Sequence, residues 1–167
     1  ISAVSDNMTL TAQWVVSAPA APTISTVVAT DAGATITVAA GVGGGTPSSY
    51  TVTAKDGSGN SVGTCTIISP AVTCSVSPLV NGSPYTFTIS ASNSTGTTSG
   101  ATSLAIKPAG APDAPTTVTA VRGNGVATVS FTAPSFNGGA EITSYTVTAK
   151  DSSGNTAGTC QVNAPAL

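Results

Sequence analysis

The chain has 167 residues, a net charge of −2, four Lys+Arg, six Asp+Glu, no His and 4% aromatic residues. So few basic groups give no electrostatic footprint for nucleic acid. No apolar run approaches the roughly 20 residues of a membrane span, and without His the usual general base and the usual activator of Ser or Cys are missing. Low charge with few large apolar groups also marks disordered chains. Here, however, apolar residues alternate with Thr and Ser over several stretches, so the sequence reads as a folded all-β protein with a thin core.

Residues 1–17 contain one strand signal, Met8-Thr-Leu-Thr-Ala-Gln-Trp14, and read as the tail of a preceding module. The chain starts at Ile1 rather than Met and carries no charged n-region followed by an apolar stretch. It therefore reads as an internal fragment or a chain whose start was removed. Ser17–Pro22 is a stiff linker, because Pro favours extended backbone and blocks helix. Residues 18–107 are expected to form a complete module. Strand signals fall at 23–29, 34–39, 49–55, 62–68, 72–76, 85–92 and 102–106, separated by Gly-, Asn-, Asp- and Pro-bearing turns. Seven short strands in so short a module suit a β-sandwich.

Lys107–Pro115 forms a second linker, and residues 108–167 read as the N-terminal part of a second module. Strand signals at 116–121, 127–132, 143–150 and 156–162 match the first four of the preceding module. The segments 48–65 and 143–160 are identical at 14 of 18 positions, which marks tandem copies of one domain. The sequence ends seven residues after Cys160, so the last three strands of the second copy are missing. Half a sandwich exposes an apolar face and unpaired edges. The expectation is strand complementation of 108–167 by another chain or by continuation of this one, with residues 8–16 a candidate donor.

Cys65 and Cys74 flank eight residues centred on Ser69-Pro70. With a hairpin turn there, the two cysteines face each other in one antiparallel ladder, where Cα atoms lie about 4.5–5.5 Å apart, within disulfide range. The alternative is two unpaired thiols on neighbouring strands. A disulfide points to a secreted or surface protein. Cys160 has no partner in this sequence, and its mate is expected just past Leu167.

Two resemblances follow. Leu79-Val-Asn-Gly-Ser-Pro-Tyr85-Thr-Phe87-Thr-Ile89-Ser-Ala91-Ser-Asn93, and Val129-Ser-Phe131-Thr-Ala-Pro134 with Gly138-Gly139 and Ile142-Thr-Ser-Tyr145, resemble fibronectin type III repeats in their bacterial extracellular form. That family usually has Trp where this chain has Phe131, and Val38 stands at the same place in the first copy. Leu10-Thr-Ala-Gln-Trp14 resembles the last strand of an internalin-type B repeat. The first resemblance implies tandem immunoglobulin-like β-sandwiches, the second incomplete, and an extracellular or bacterial cell-surface location. The alternation itself places Tyr85, Phe87, Ile89 and Ala91 on one face, with Tyr50, Val52 and Ala54 alternating likewise on another strand. Tyr50, Tyr145 and Phe131 are read with them as core. Tyr85 is expected to bury its ring and bond its hydroxyl to nearby backbone, as in a tyrosine corner.

No catalytic constellation emerges. The six acids lie singly in expected loops, and three Cys without a CxxC spacing offer no zinc site. No cofactor, metal or catalytic residue is therefore expected. Asp56–Asn60 and Asp151–Asn155 faintly echo a calcium loop, but Ser61 and Thr156 stand where its Gly belongs, and hairpin turns are the better reading. Asn7, Asn81 and Asn93 fit the glycosylation pattern, though Pro84 follows the second match and in a bacterial protein all three are incidental. Phe136, in the longer loop of the second module, is the one loop aromatic placed to meet a partner, with packing against its own sheet edge as the alternative.

The sequence is expected to be a structural or adhesive stalk or filament segment whose partners are neighbouring modules of the same or an identical chain. The alternative is a non-catalytic spacer or carbohydrate-binding accessory module of a secreted polysaccharide-degrading enzyme. A carbohydrate-binding surface calls for a row of exposed aromatics, which the sequence lacks.

Overall fold

The structure is a computed structural model that describes residues 16–164. The expected strand at 8–14, the sequence at Asn7 and residues 8–15 of the donor segment lie outside the described residues. Eleven strands and no helix occur among the described residues. Strands β1 (Thr23–Thr30), β2 (Gly33–Ala39) and β5 (Thr73–Val76) form one antiparallel sheet in the order β1-β2-β5. Strands β3 (Ser49–Lys55), β4 (Ser61–Ile68), β6 (Thr86–Ser92) and β7 (Thr97–Ser99) form the other, in the order β4-β3-β6-β7.

Period-2 alternation aims one face of each sheet at the other. Ala34, Ile36 and Val38 from β2 meet Tyr50, Val52 and Ala54 from β3 and Phe87, Ile89 and Ala91 from β6. Ile67, Val76, Leu79 and Tyr85 close the cluster, and no polar or charged residue is buried within it. Each large apolar side chain removed from water here contributes about 1.5–3 kcal/mol before the entropy of ordering it is counted. The intervening Thr and Ser face outward, which suits β backbone and keeps the outer faces polar.

Two expectations need correction. Cys65 and Cys74 are disulfide-bonded, with Cα atoms 6.1 Å apart, but they do not face each other in one ladder. Cys65 on β4 is opposite Val52 of β3, while Cys74 on β5 is opposite Ile36 of β2. The two strands that follow each other in sequence belong to different sheets. The bridge therefore ties the sheets together across their gap, at the edge where β4 and β5 are outermost. Gly63 on β4 allows this approach: a Cβ there would meet Val76 Cγ1 at 2.8 Å.

The second correction concerns the last strand. A strand was expected over 102–106 with a loop over 94–100, yet β7 covers Thr97–Ser99 inside that loop. Its path continues irregularly along β6: Gly100 N donates to Ile89 O, Ser103 N to Phe87 O, and Ile106 N to Tyr85 O. Ser103 Oγ also accepts from Phe87 N, taking a bond that a regular ladder would give to backbone. The sequence is strand-like throughout, but side-chain bonding breaks the ladder into pieces.

Residues 116–163 form two separate hairpins, β8 (Thr116–Arg122) with β9 (Ala127–Thr132) and β10 (Ser144–Lys150) with β11 (Thr156–Asn163). The β10–β11 register repeats that of β3–β4, including the irregularity before the lysine that ends each first strand. The fold is thus all-β: two antiparallel sheets packed as a sandwich over 23–106, followed by these two hairpins, which repeat the order of its first four strands.

Candidate functional site

The loops that link the hairpin strands use their acids locally. Asp56 Oδ1 accepts from Ser58 N and Asn60 N, each at 2.9 Å, and Oδ2 accepts from Asn60 Nδ2 at 3.1 Å. Asp151 makes the same three bonds to Ser153 N, Asn155 N and Asn155 Nδ2. Bonding to the charged form favours it. Both carboxyls accordingly titrate below the ordinary aspartate value, chiefly because of the backbone N–H of Asn60 and of Asn155 respectively. Lys55 Nζ lies 3.3 Å from Gly59 O and from Ser61 Oγ, so the basic end of β3 also closes on its own loop. Among the described residues, no group of three or more His, Cys, Asp or Glu is placed to hold a metal ion.

At one end of the first sandwich, the Tyr85 ring is buried and its hydroxyl accepts from Val80 N at 3.0 Å. This bond fixes the 79–84 turn against the start of β6. Asn81 in that turn donates to Asp31 Oδ1 at 2.7 Å and accepts from Ala32 N at 2.8 Å. At the opposite end, Asn93 donates to Ser17 O at 2.7 Å and accepts from Thr95 N and Gly96 N. Of the three asparagines that fit a glycosylation pattern, the two among the described residues, Asn81 and Asn93, hold turns of the fold with the same amide a glycan would occupy. The sequence pattern did not reveal this, because the bonding partners lie 50 and 76 residues away.

In the second unit, the Phe131 and Tyr145 rings pack at 4.9 Å with planes tilted by 58°, within the range preferred by aromatic pairs. They line an open cleft of about 420 Å³ with Pro115, Val118, Val129 and Val147. In the first sandwich, the corresponding strand β3 is covered on its free edge by β6. Phe136 is 42% exposed in the loop before β10, and its carbonyl accepts from Asp113 N of the linker. Cys160 is an exposed free thiol on β11.

These placements give three groupings. Tyr50, Tyr85, Phe87 and Ile89 lie in one core, Phe131 and Tyr145 form a separate aromatic pair, and Phe136 and Cys160 stand apart from both. Sequence reasoning missed the contacts at the ends of the sandwiches, made by Asp31, Asn81, Gly82 and the Gly138-Gly139 pair. The Asn-Gly and Gly-Gly dipeptides were the available signal, but they mark turns without naming what the turns touch.

No family model matches the chain, and no curated protein matches it. Solved structures similar to it include the FN1–FN3 domains of chicken CNTN1, at 24% identity and a TM-score of 0.44, over 60% of this chain and 36% of that one. A segment of two fibronectin type III domains from chicken tenascin matches at 19% identity and a TM-score of 0.42, over 87% of this chain and 77% of that one. The chain thus spans about a third of the length of the CNTN1 structure.

Proposed function

We propose that this chain is a structural segment of an extracellular stalk or filament, with modules at 18–107 and 108–167, carried on a bacterial surface protein. The observation that carries this reading is the placement of the connections. The chain enters the first sandwich beside Asn93 and leaves it beside Gly82, which are opposite ends of β3 and β6. Modules connected end to end in this way extend along one line instead of clustering. The Cys65–Cys74 bridge suits an oxidising compartment. The charge-poor Thr and Ser surface suits a spacer more than a ligand site. Neighbouring modules of the same or an identical chain are its partners. Strands that pair on the free edge of β10, as β6 pairs on β3, complete the second sandwich.

The test is surface proteolysis of intact source cells with an antibody raised against this chain. Digestion without lysis is the expected result, and protection until lysis would overturn the surface assignment. Incubation with insoluble polysaccharides separates the main alternative. The stalk reading expects no retention, whereas retention on a polysaccharide would support an accessory module of a secreted enzyme.

A further inference from the structure

The two connections in this chain are built alike. Ala18-Pro-Ala-Ala-Pro22 and Ala111-Pro-Asp-Ala-Pro115 enter the two sandwiches at equivalent places, and each meets a Gly-Gly pair from the loop before the third strand of its sandwich. Gly43 and Gly44 have φ of 85° and 68°; Gly138 and Gly139 have 76° and 91°. These are left-handed conformations that side chains rarely adopt. Gly45 N donates to Ala18 O at 3.0 Å, and a Cβ on Gly44 would meet Ala20 N at 2.6 Å. In the second joint, Gly110 N donates to Gly138 O at 2.8 Å and Asp113 N to Phe136 O at 3.1 Å, while a Cβ on Gly138 would meet Ala111 backbone at 2.8 Å.

The second joint also engages the preceding sandwich. Gly82 N donates to Pro108 O at 2.8 Å, and Pro108 is fully buried. A Cβ on Gly139 would overlap Gly82 N and would stand 2.9 Å from the carbonyl carbon of Asn81. Gly110 packs against the Asp31 carboxylate, which Asn81 holds. Three backbone layers therefore lie in contact: the Asn81-Gly82 turn, the 108–113 linker and the Gly138-Gly139 loop. Backbone so close on both sides leaves no room for rocking without breaking hydrogen bonds. Pro at 108, 112 and 115 removes much of the linker's remaining freedom.

We propose that the Gly-Gly loop is a socket for the preceding sandwich's Asn-Gly turn, and that it locks the two units in one fixed orientation. The lock holds or fails independently of the surface-stalk reading. Residual dipolar couplings on the isotopically labelled full chain test it. One alignment tensor is expected to fit residues 23–106 and 116–163 together. Gly139→Val is expected to split them into two tensors, with reduced couplings for 116–163 and unchanged chemical shifts in the core of 23–106. If that variant leaves 116–163 unfolded, Gly82→Val decides from the other side of the contact: its φ is +80° and its Cβ would meet Gly139 Cα at 3.2 Å. Two tensors in the parent chain, or one tensor retained in the deciding variant, would overturn the lock.

Discussion

The strands β3 and β10 share one sequence, Ser-Tyr-Thr-Val-Thr-Ala-Lys, and pair with β4 and β11 in the same register. Their surroundings differ. Tyr50, Val52 and Ala54 are buried in β3, while Tyr145 and Val147 are half-buried and Ala149 is exposed in β10. The difference comes from β6, which occupies the other edge of β3, and from the facing sheet. Seven residues thus specify a strand, its hairpin partner and the side that faces inward. Burial is supplied by elements remote in sequence, and most of the energy comes with it.

The largest test of this contrast removes what β6 brings. Phe87 is fully buried, and Phe87→Ala is expected to cost about 3–5 kcal/mol in urea unfolding followed by circular dichroism. A loss below about 1 kcal/mol would mean that β6 does not carry the core. Next comes the covalent tie between the sheets. Replacing Cys65 and Cys74 together with Ser is expected to lower stability by about 2–3 kcal/mol, whereas Cys160→Ser, at an exposed thiol, changes it by less than about 0.5 kcal/mol. Equal effects would remove the distinction between the two cysteine sites.

The most direct comparison uses the shared sequence itself. Val52→Ala is expected to cost about 2 kcal/mol, from roughly 0.8 kcal/mol per buried methylene plus the cavity left behind. Val147→Ala, at a half-buried site, is expected to stay within about 0.5 kcal/mol. Adding strands to the free edge of β10 should raise the second value toward the first. Matching values in the chain as it stands would show that β10 is already enclosed.

The smallest effect tests what the two hairpins should share. Asp56 and Asp151 have folded pKa values depressed below 3.8, chiefly by the backbone N–H of Asn60 and Asn155. The stabilisation is therefore in place above the unfolded value and is lost as pH falls through the folded value. The amide signals of Asn60 and Asn155 should both move with midpoints below 3.8. A midpoint at or above 3.8 in either loop would separate turns that local sequence makes alike.

Much of the strand pattern was legible because alternation is local. The limits of β3 and β9 were read directly, as was the inward set Tyr85, Phe87, Ile89 and Ala91. The geometry of the disulfide was not, because a short connection between two strands does not say whether they pair or part to different sheets. The strand after β6 was misplaced for a related reason. Thr and Ser run from 94 to 103 almost without apolar punctuation, so bonds to β6, including one from Ser103 Oγ, decide where the ladder holds. At the joints, the sequence displayed Asn81-Gly82 and Gly138-Gly139 openly, but two turns 57 residues apart meet only where the first sandwich and the following hairpins come together.

The position of the bridge has a mechanical consequence. A pull on the connections of the first sandwich loads β1 and the 97–106 path first, whereas Cys65–Cys74 lies on the far edge, off that line of tension. The bridge therefore does not raise the first barrier to rupture. It acts afterward, shortening the tether: with a sequence separation of 9 and about 3.3–3.6 Å per extended residue, roughly 30 Å of chain stays gathered. A stretched sandwich then retains a closed loop that joins β4 to β5, which keeps these two edges together when the load is released.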